Sequence, residues 1–246
     1  MQIDVALVPA EARAQEERVL IVIDEIRAST TITTLLDLAC SELVLAGSVP
    51  AARRLAAERG SLLAGERHAV KPRGFDYDNS PTDLIRSTEI RDRSVVLCTT
   101  NGTAVLRRLR GASHVLVGCI RNATACAESA VRLATAHGYG IQVVCAGQRG
   151  RFVLDDAVAA GVVVERLVET VRRDGGAPDI TDAAETAMRL RRSFPDLLTA
   201  MRESNGGRTL ELIGQAQDIA FCAEEDASAT VPVLLAGDPM RIGILG

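Results

Sequence analysis

Apolar and polar positions fall along the chain in alternating blocks, short continuous apolar runs followed by helical repeats. The clearest pair begins at Val19. Five apolar residues, Val19 to Ile23, run straight into Asp24, the pattern of a strand buried on both faces. Arg27, Ser29, Thr30 and Thr31 follow, and then Ile32, Leu35, Leu36 and Ala39 recur at helical spacing. The same reading predicts strands over residues 2–8 (followed by a polar turn to Arg18), 42–46, 61–65, 94–98, 114–119 and 142–146. Helices are predicted over 49–59, with Pro50 in its first turn, and over 103–110, 122–137 and 152–173. In the longest of these, Ala159, Ala160 and Gly161 leave room for a close neighbour. Strands alternating with helices imply an α/β fold, a mainly parallel sheet with helices on both faces.

The one obvious break is Asp174 to Pro178. Beyond it the pattern predicts helices over 180–192, 196–203 and 208–213, an apolar run at 218–222, and a last strand at 231–236. Residues 1–174 are therefore expected to form an α/β core, and 175–246 a helical C-terminal segment and final strand packed on it as one continuous unit. Between the strands at 61–65 and 94–98 lies the least regular part, 69–93, rich in Pro, Gly, Asp and Asn. A loop of that length inside a compact chain is usually functional or disordered.

Composition narrows the classes. Apolar residues make up 47% of the 246, yet there is no Trp and there are only four Phe and two Tyr, so the core must be aliphatic. The net charge of −4, with no basic run interleaved with aromatics, argues against nucleic acid as the partner. Lys71 is the only lysine and stands in no Walker pattern, which removes Walker-type phosphate binding and leaves a Schiff base only to Lys71 itself. No apolar run approaches the roughly 20 residues of a membrane span, and Met1 to Val5 does not begin a signal peptide. The six cysteines form no Cys-x-x-Cys pair and mostly sit in apolar periods, which points to a reducing cytoplasm. The three histidines are too scattered to read as a zinc site. No Gly-x-Gly-x-x-Gly follows a strand, so a Rossmann dehydrogenase is disfavoured.

Candidate chemistry collects at predicted strand ends: Asp24 with Arg27, Glu66 with Arg67, and Thr99 through Thr103, while the turn after residue 146 leads to Asp155 and Asp156. In a parallel sheet such ends share one edge, where α/β proteins bind ligands. Helix N-termini there favour an anion, arginine grips phosphate or sulfonate, and several carboxylates suit a hard divalent ion. Helix capping and an Arg ion pair suit the same residues. No Gly-x-Ser-x-Gly elbow, no Cys-x5-Arg loop and no Asp-x-Asp-x-Thr opening is present, so attack by activated water is preferred, with Asp24 as a covalent nucleophile kept open.

Taken together, Asp24-x-Ile-Arg-Ala-Ser-Thr-Thr, Gly65-Glu-Arg, Gly74-Phe-Asp-x-x-Asn-Ser-Pro, Thr99-Thr-Asn-Gly-Thr, Cys145-Ala-Gly and the pair Asp155-Asp156 resemble the 2-phosphosulfolactate phosphatase family. So do Gly207-Arg-x-Leu-x-x-x-Gly and Asp218-Ile-x-Phe-Cys through to Val231-Pro-Val. The resemblance runs over nearly the whole chain in order. It implies the α/β fold peculiar to that family. It also implies a Mg²⁺-dependent enzyme that removes phosphate from 2-phospho-3-sulfolactate, a step of coenzyme M biosynthesis. On that basis Asp24, Glu66 and Asp156 are expected to hold the metal, with Asp76 close by. Arg27 and Arg67 would hold phosphate and sulfonate. Thr30, Thr31, Thr100, Asn101, Gly102 and Thr103 would supply hydroxyl and amide donors, and Asn79 and Ser80 would close the site. A small anionic phosphoester is then the partner, and a symmetric dimer fits such a chain. Two positions depart from the family's pattern: Glu25, where an apolar residue is usual, and Asp78, where a Gly stands. Added negative charge there keeps two alternatives in view, another phosphorylated hydroxy acid as substrate, or a binding protein without turnover.

Overall fold

The computed structural model describes residues 1–13 and 17–246; the turn expected before Arg18 lies partly outside them. In chain order the elements are β1 (Gln2–Ala6), β2 (Arg18–Ile23), α1 (Ala28–Asp37), β3 (Glu42–Leu45), α2 (Val49–Arg59), β4 (Leu62–Gly65) and α3 (Pro81–Leu84). Next come β5 (Ser94–Cys98), α4 (Gly102–Arg108), β6 (His114–Val117), α5 (Ala123–His137), β7 (Gly140–Cys145) and α6 (Leu154–Arg173). The C-terminal third adds β8 (Asp179–Ile180), α7 (Asp182–Arg192), α8 (Leu197–Glu203), α9 (Asn205–Leu212), α10 (Gln217–Cys222), β9 (Pro232–Leu235) and β10 (Arg241–Ile244). The α/β class and the mainly parallel sheet are as expected.

The strand order, β4-β5-β3-β10-β9-β6-β2-β7-β1-β8, shows what the pattern of residues hides. β4, β5 and β3 are mutually parallel, and so are β6, β2, β7, β1 and β8. Between them, β6–β9, β9–β10 and β10–β3 are all antiparallel. Three reversals mean that the two parallel halves run in opposite senses, which corrects the expectation of one shared C-terminal edge. The segment after residue 174 supplies three strands to this sheet, because β8 pairs with β1, and β9 and β10 join the halves.

The halves nevertheless meet around one core. Along β2, Val19, Ile21 and Ile23 face α5 and α6, in a cluster with Ala127, Val158 and Val162. Leu20 and Val22, on the opposite face by strand alternation, pack with Ile32 and Leu35 of α1. That second cluster also takes in Leu43, Leu45, Val95 and Leu97 from β3 and β5 in the other half. That shared cluster links the two halves, and the residues that follow β2, β4 and β5 (Asp24, Glu66 and Thr99 to Asn101) line one cavity although the halves run in opposite senses.

Local signals explain the elements. Ser48 accepts from the Ala51 amide at the start of α2, and Thr181 and Asp196 cap α7 and α8 in the same way. A Cβ on Gly161 would lie 2.3 Å from the Ala187 carbonyl oxygen, so the close approach of α6 and α7 requires glycine there. All six cysteines are free thiols. No helix among the described residues is long and apolar enough to cross a membrane.

Candidate active site

Asp24 is the first residue after β2, and its carboxylate ties two helix starts together. The Ala28 amide donates to Oδ1 (3.3 Å) at the start of α1, and the Gly102 amide donates to Oδ2 (2.6 Å) at the start of α4. The Asp24 amide in turn donates to the Ser29 hydroxyl (2.8 Å). A Cβ at position 102 would stand 2.9 Å from Asp24 Oδ2 and 3.0 Å from the Ala28 Cβ, so a larger residue there would push the carboxylate from its place. Thr99 and Thr103 brace the turn hydroxyl to hydroxyl at 2.8 Å.

A cavity of about 270 Å³ opens beside Asp24. Of the residues expected in the site, Asp24, Arg27, Glu66, Asn79, Thr100 and Asn101 line it. An adjoining recess of about 30 Å³ is bounded by Asp24, Asn101, Asp155 and Asp156. Other expected residues stand elsewhere. Asp76 is exposed, and its carboxylate accepts from the Leu63 amide (2.7 Å). Arg67 turns to the Gly47 carbonyl (3.0 Å) and the Cys98 sulfur (3.2 Å). The Thr30 hydroxyl donates to Glu25, and that of Thr31 to the Asn79 carbonyl. Ser80 donates to Asp218. Gly102 and Thr103 support the floor from behind. These residues build the walls without lining the cavity.

Arg27 is the cation at the inner wall, and it is clamped. Its Nη1 donates to Asp218 Oδ2 (2.7 Å) and to Gln215 Oε1 (2.5 Å), and its Nη2 lies 3.8 Å from Asp78. Asp78 also accepts from the Gln215 side chain (2.6 Å). The carboxylate that departs from the family's pattern thus accepts from a glutamine and shares with Asp218 the charge of one buried arginine. Glu25 is fully buried, accepts from the Ile120 amide (3.0 Å), and is pushed up to about 8 mainly by that burial. Burial thus disfavours its charged form, and neither Glu25 nor Asp78 lines the cavity.

The acids divide by which oxygens are free. Asp156 accepts from the Glu25 amide (2.9 Å) and the Gly147 amide (2.7 Å), and Glu66 from the Thr100 amide (2.7 Å) and the Ala69 amide (2.9 Å). By contrast Asp155 Oδ1 is buried without a hydrogen-bond partner. So are Asn79 Oδ1 and Thr100 Oγ1 on the cavity wall. Buried polar atoms are rarely left unpaired, so two on the cavity wall and one in the recess beside it, all without a partner among the described residues, favour a polar ligand there. Among the described residues no three His, Cys, Asp or Glu side chains converge in ligating geometry. The expected trio of Asp24, Glu66 and Asp156 is thus not a preformed metal cage. A hard divalent ion that keeps its waters and shares phosphate oxygens needs only one or two carboxylates; Asp155 has the unpartnered oxygen, and Asp24, though both its oxygens accept amides, borders both cavities. The sequence put Asp156 forward and noted Asp155 beside it; both border the recess, and of the two only Asp155 keeps an oxygen unpartnered among the described residues.

Burial, with the other acids nearby, raises Asp24 to about 7. Burial also raises Asp155 to about 6, eased by nearby amides and the Ser204 hydroxyl. Asp156 is driven well above the usual range by burial and by Asp155 and Asp24. The folded chain thus holds protons that unfolded carboxylates, near 4, have released. Stability with chelator present must fall as pH rises through about 6 to 8. Thermal melts in chelator should show the midpoint dropping on the order of 5 °C between about pH 5.5 and 8.5; a flat or rising midpoint would contradict the buried-acid cluster.

Further residues on the walls carried no expectation: His68, Gln148, Arg149, Gly206 and Thr209. Gln148 and Arg149 sit in the turn after β7, a strand end like the others, and that position was the available signal.

A sequence model described as 2-phosphosulpholactate phosphatase matches residues 6–237, a span that includes every residue of both cavities. A Deinococcus radiodurans protein described as a probable 2-phosphosulfolactate phosphatase is 38% identical over 229 residues, 92% of each chain. Thermus thermophilus and Thermotoga petrophila proteins with the same description are 37% and 34% identical, covering 95% and 96% of this chain and 94% and 96% of their own. With fold, site and sequence in register, the chain belongs to the 2-phosphosulpholactate phosphatase family, hydrolases of phosphoric monoesters.

Proposed function

We propose that the protein is a Mg²⁺-dependent phosphatase acting on a small phosphoester that bears a second strong anion, with 2-phospho-3-sulfolactate, the coenzyme M precursor named by the family, as its substrate. The observation that carries this reading is the set of unpartnered buried oxygens, Asp155 Oδ1, Asn79 Oδ1 and Thr100 Oγ1, beside Asp24 and Arg27. Asp24 and Asp155 would hold the ion, which when bound would polarise the phosphoryl group and offset its charge. The Arg27 guanidinium, fixed by Asp218 and Gln215, presents its remaining N–H groups to phosphoryl oxygens. Thr100 and Asn79 would orient the ester. Both Asp24 oxygens already accept amide hydrogens, which favours water over Asp24 as the attacking group. The binding-protein alternative rested on charge at Glu25 and Asp78; neither side chain lines the cavity, which favours turnover.

The test is phosphate release from racemic phosphosulfolactate, with Mg²⁺ and with chelator, beside a panel of phosphorylated hydroxy acids. Expected is release that chelator abolishes and that prefers phosphosulfolactate by at least about tenfold. Preference for another panel member would keep the chemistry and replace the substrate. Release unaffected by chelator would remove the metal from the proposal.

A further inference from the structure

Arg27 cannot hold both the phosphoryl and the sulfonate group of the proposed substrate, because Asp218 and Asp78 already share its charge. The cavity has one other arginine. Arg149 also lines it, from the turn after β7, and among the described residues it pairs with no carboxylate. It is held in place: its amide donates to Asn101 Oδ1 (3.2 Å), and Gln148 beside it accepts from the Asn205 side chain (3.0 Å). Its Nη2 stands 3.4 Å from His68 Nδ1. A guanidinium can only donate, so Nδ1 accepts and the imidazole proton sits on Nε2, free for a second acceptor. His68, Ala69 and Arg149 all adopt left-handed backbone, with φ of 55°, 61° and 53°. Non-glycine residues rarely do, and clusters of them mark functional sites. Two strained turns from distant parts of the chain thus meet as a cation and a neutral donor at the edge of the cavity.

We propose that Arg149 and His68 form a second anion subsite, which receives the sulfonate of the substrate and makes Arg149 the residue that selects phosphoesters carrying one. This rests on the reading above that the phosphoryl group lies at the Asp24–Arg27 wall. Arg67, expected in this role from the sequence, is turned away toward Gly47 and Cys98. A sulfonate stays ionised at any physiological pH and offers three equivalent oxygens, so a permanently charged fork with an adjacent N–H suits it.

The test compares 2-phospho-3-sulfolactate with 2-phospholactate, which differ only in the sulfonate, in the wild type, Arg149→Gln, Arg149→Lys and His68→Ala. Arg149→Gln should reduce the ratio of kcat/KM values between the two substrates by roughly 10- to 100-fold, with the change in KM. Lysine should restore part of that ratio, and His68→Ala should lower it less. A ratio unchanged in Arg149→Gln, whether both rates hold or both fall, overturns the subsite. Should the wild type hydrolyse neither compound, calorimetry with 3-sulfolactate decides the matter separately. Binding weakened at least tenfold by Arg149→Gln supports the subsite while the proposed turnover fails; equal affinity in both proteins, or no binding to either, overturns the subsite.

Discussion

Asp24→Asn is expected to lower kcat/KM by about 10³-fold or more while leaving the chain folded. The carboxylate accepts the amides of Ala28 and Gly102 through its two oxygens. An asparagine can accept only one of them through its single oxygen and must turn its NH₂ toward the other. The variant also lacks the charge that would hold a cation beside Asp155, an electrostatic contribution of several kcal/mol at about 1.4 kcal/mol per tenfold in rate. Folding has less to lose. In the metal-free protein Asp24 titrates near 7 because it is buried, so at higher pH its ionised form is a burden that asparagine does not carry. Melts near pH 8 in chelator should therefore show the variant within a few degrees of the wild type, and Mg²⁺ should raise the midpoint of the wild type alone. Intact turnover in Asp24→Asn would remove Asp24 from the catalytic site.

Much of this could be read from the chain, and the limits have physical reasons. Val19 to Ile23 announces β2 because a strand covered on both faces is apolar throughout. The helix over 49–59 matches residue for residue, because Ser48, Pro50 and Gly60 punctuate it. β10 escaped notice because Arg241–Ile244 is short, carries a glycine and has no period of its own. The reversal between the sheet halves was hidden for the same reason, since it depends on β9 and β10 pairing with strands far away in sequence. The site follows the same division. Acids after apolar runs pointed to Asp24 and Glu66, both on the cavity wall. Whether an acid has an oxygen to spare is a long-range property: both oxygens of Asp156 accept amides, one of them 131 positions earlier, while Asp155 next to it keeps Oδ1 unpartnered among the described residues. Arg27 and Arg67 looked equivalent in sequence. One met Asp218 and Gln215 at the cavity, the other a carbonyl behind it.

Asp218→Ala should be the most destabilising single change in the site and should also impair turnover. Asp218 is completely buried, and its carboxylate ties α10 to two other pieces of chain at the inner wall. Oδ2 accepts from Arg27 after β2 (2.7 Å), while Oδ1 accepts from Ser80 (2.9 Å) and from the Thr82 hydroxyl (2.5 Å) at the start of α3. Removing it leaves a guanidinium whose side chain is only 3% exposed with Asp78 at 3.8 Å as its remaining carboxylate. Breaking a buried pair from one side costs about 3–5 kcal/mol, or roughly 10 °C in a chain of this size. Asp218→Asn keeps the shape and separates the two roles. It should retain most of the stability, yet Arg27, held by a neutral amide, should be misplaced toward the phosphoryl group. A loss in kcat/KM on the order of 10²-fold, with inorganic phosphate inhibiting more weakly than in the wild type, is the expected signature of a positioning residue. If Asp218→Asn lost stability but kept its rate and its inhibition by phosphate, the clamp would serve the fold alone. Arg27 would then find its place through Gln215 and Asp78.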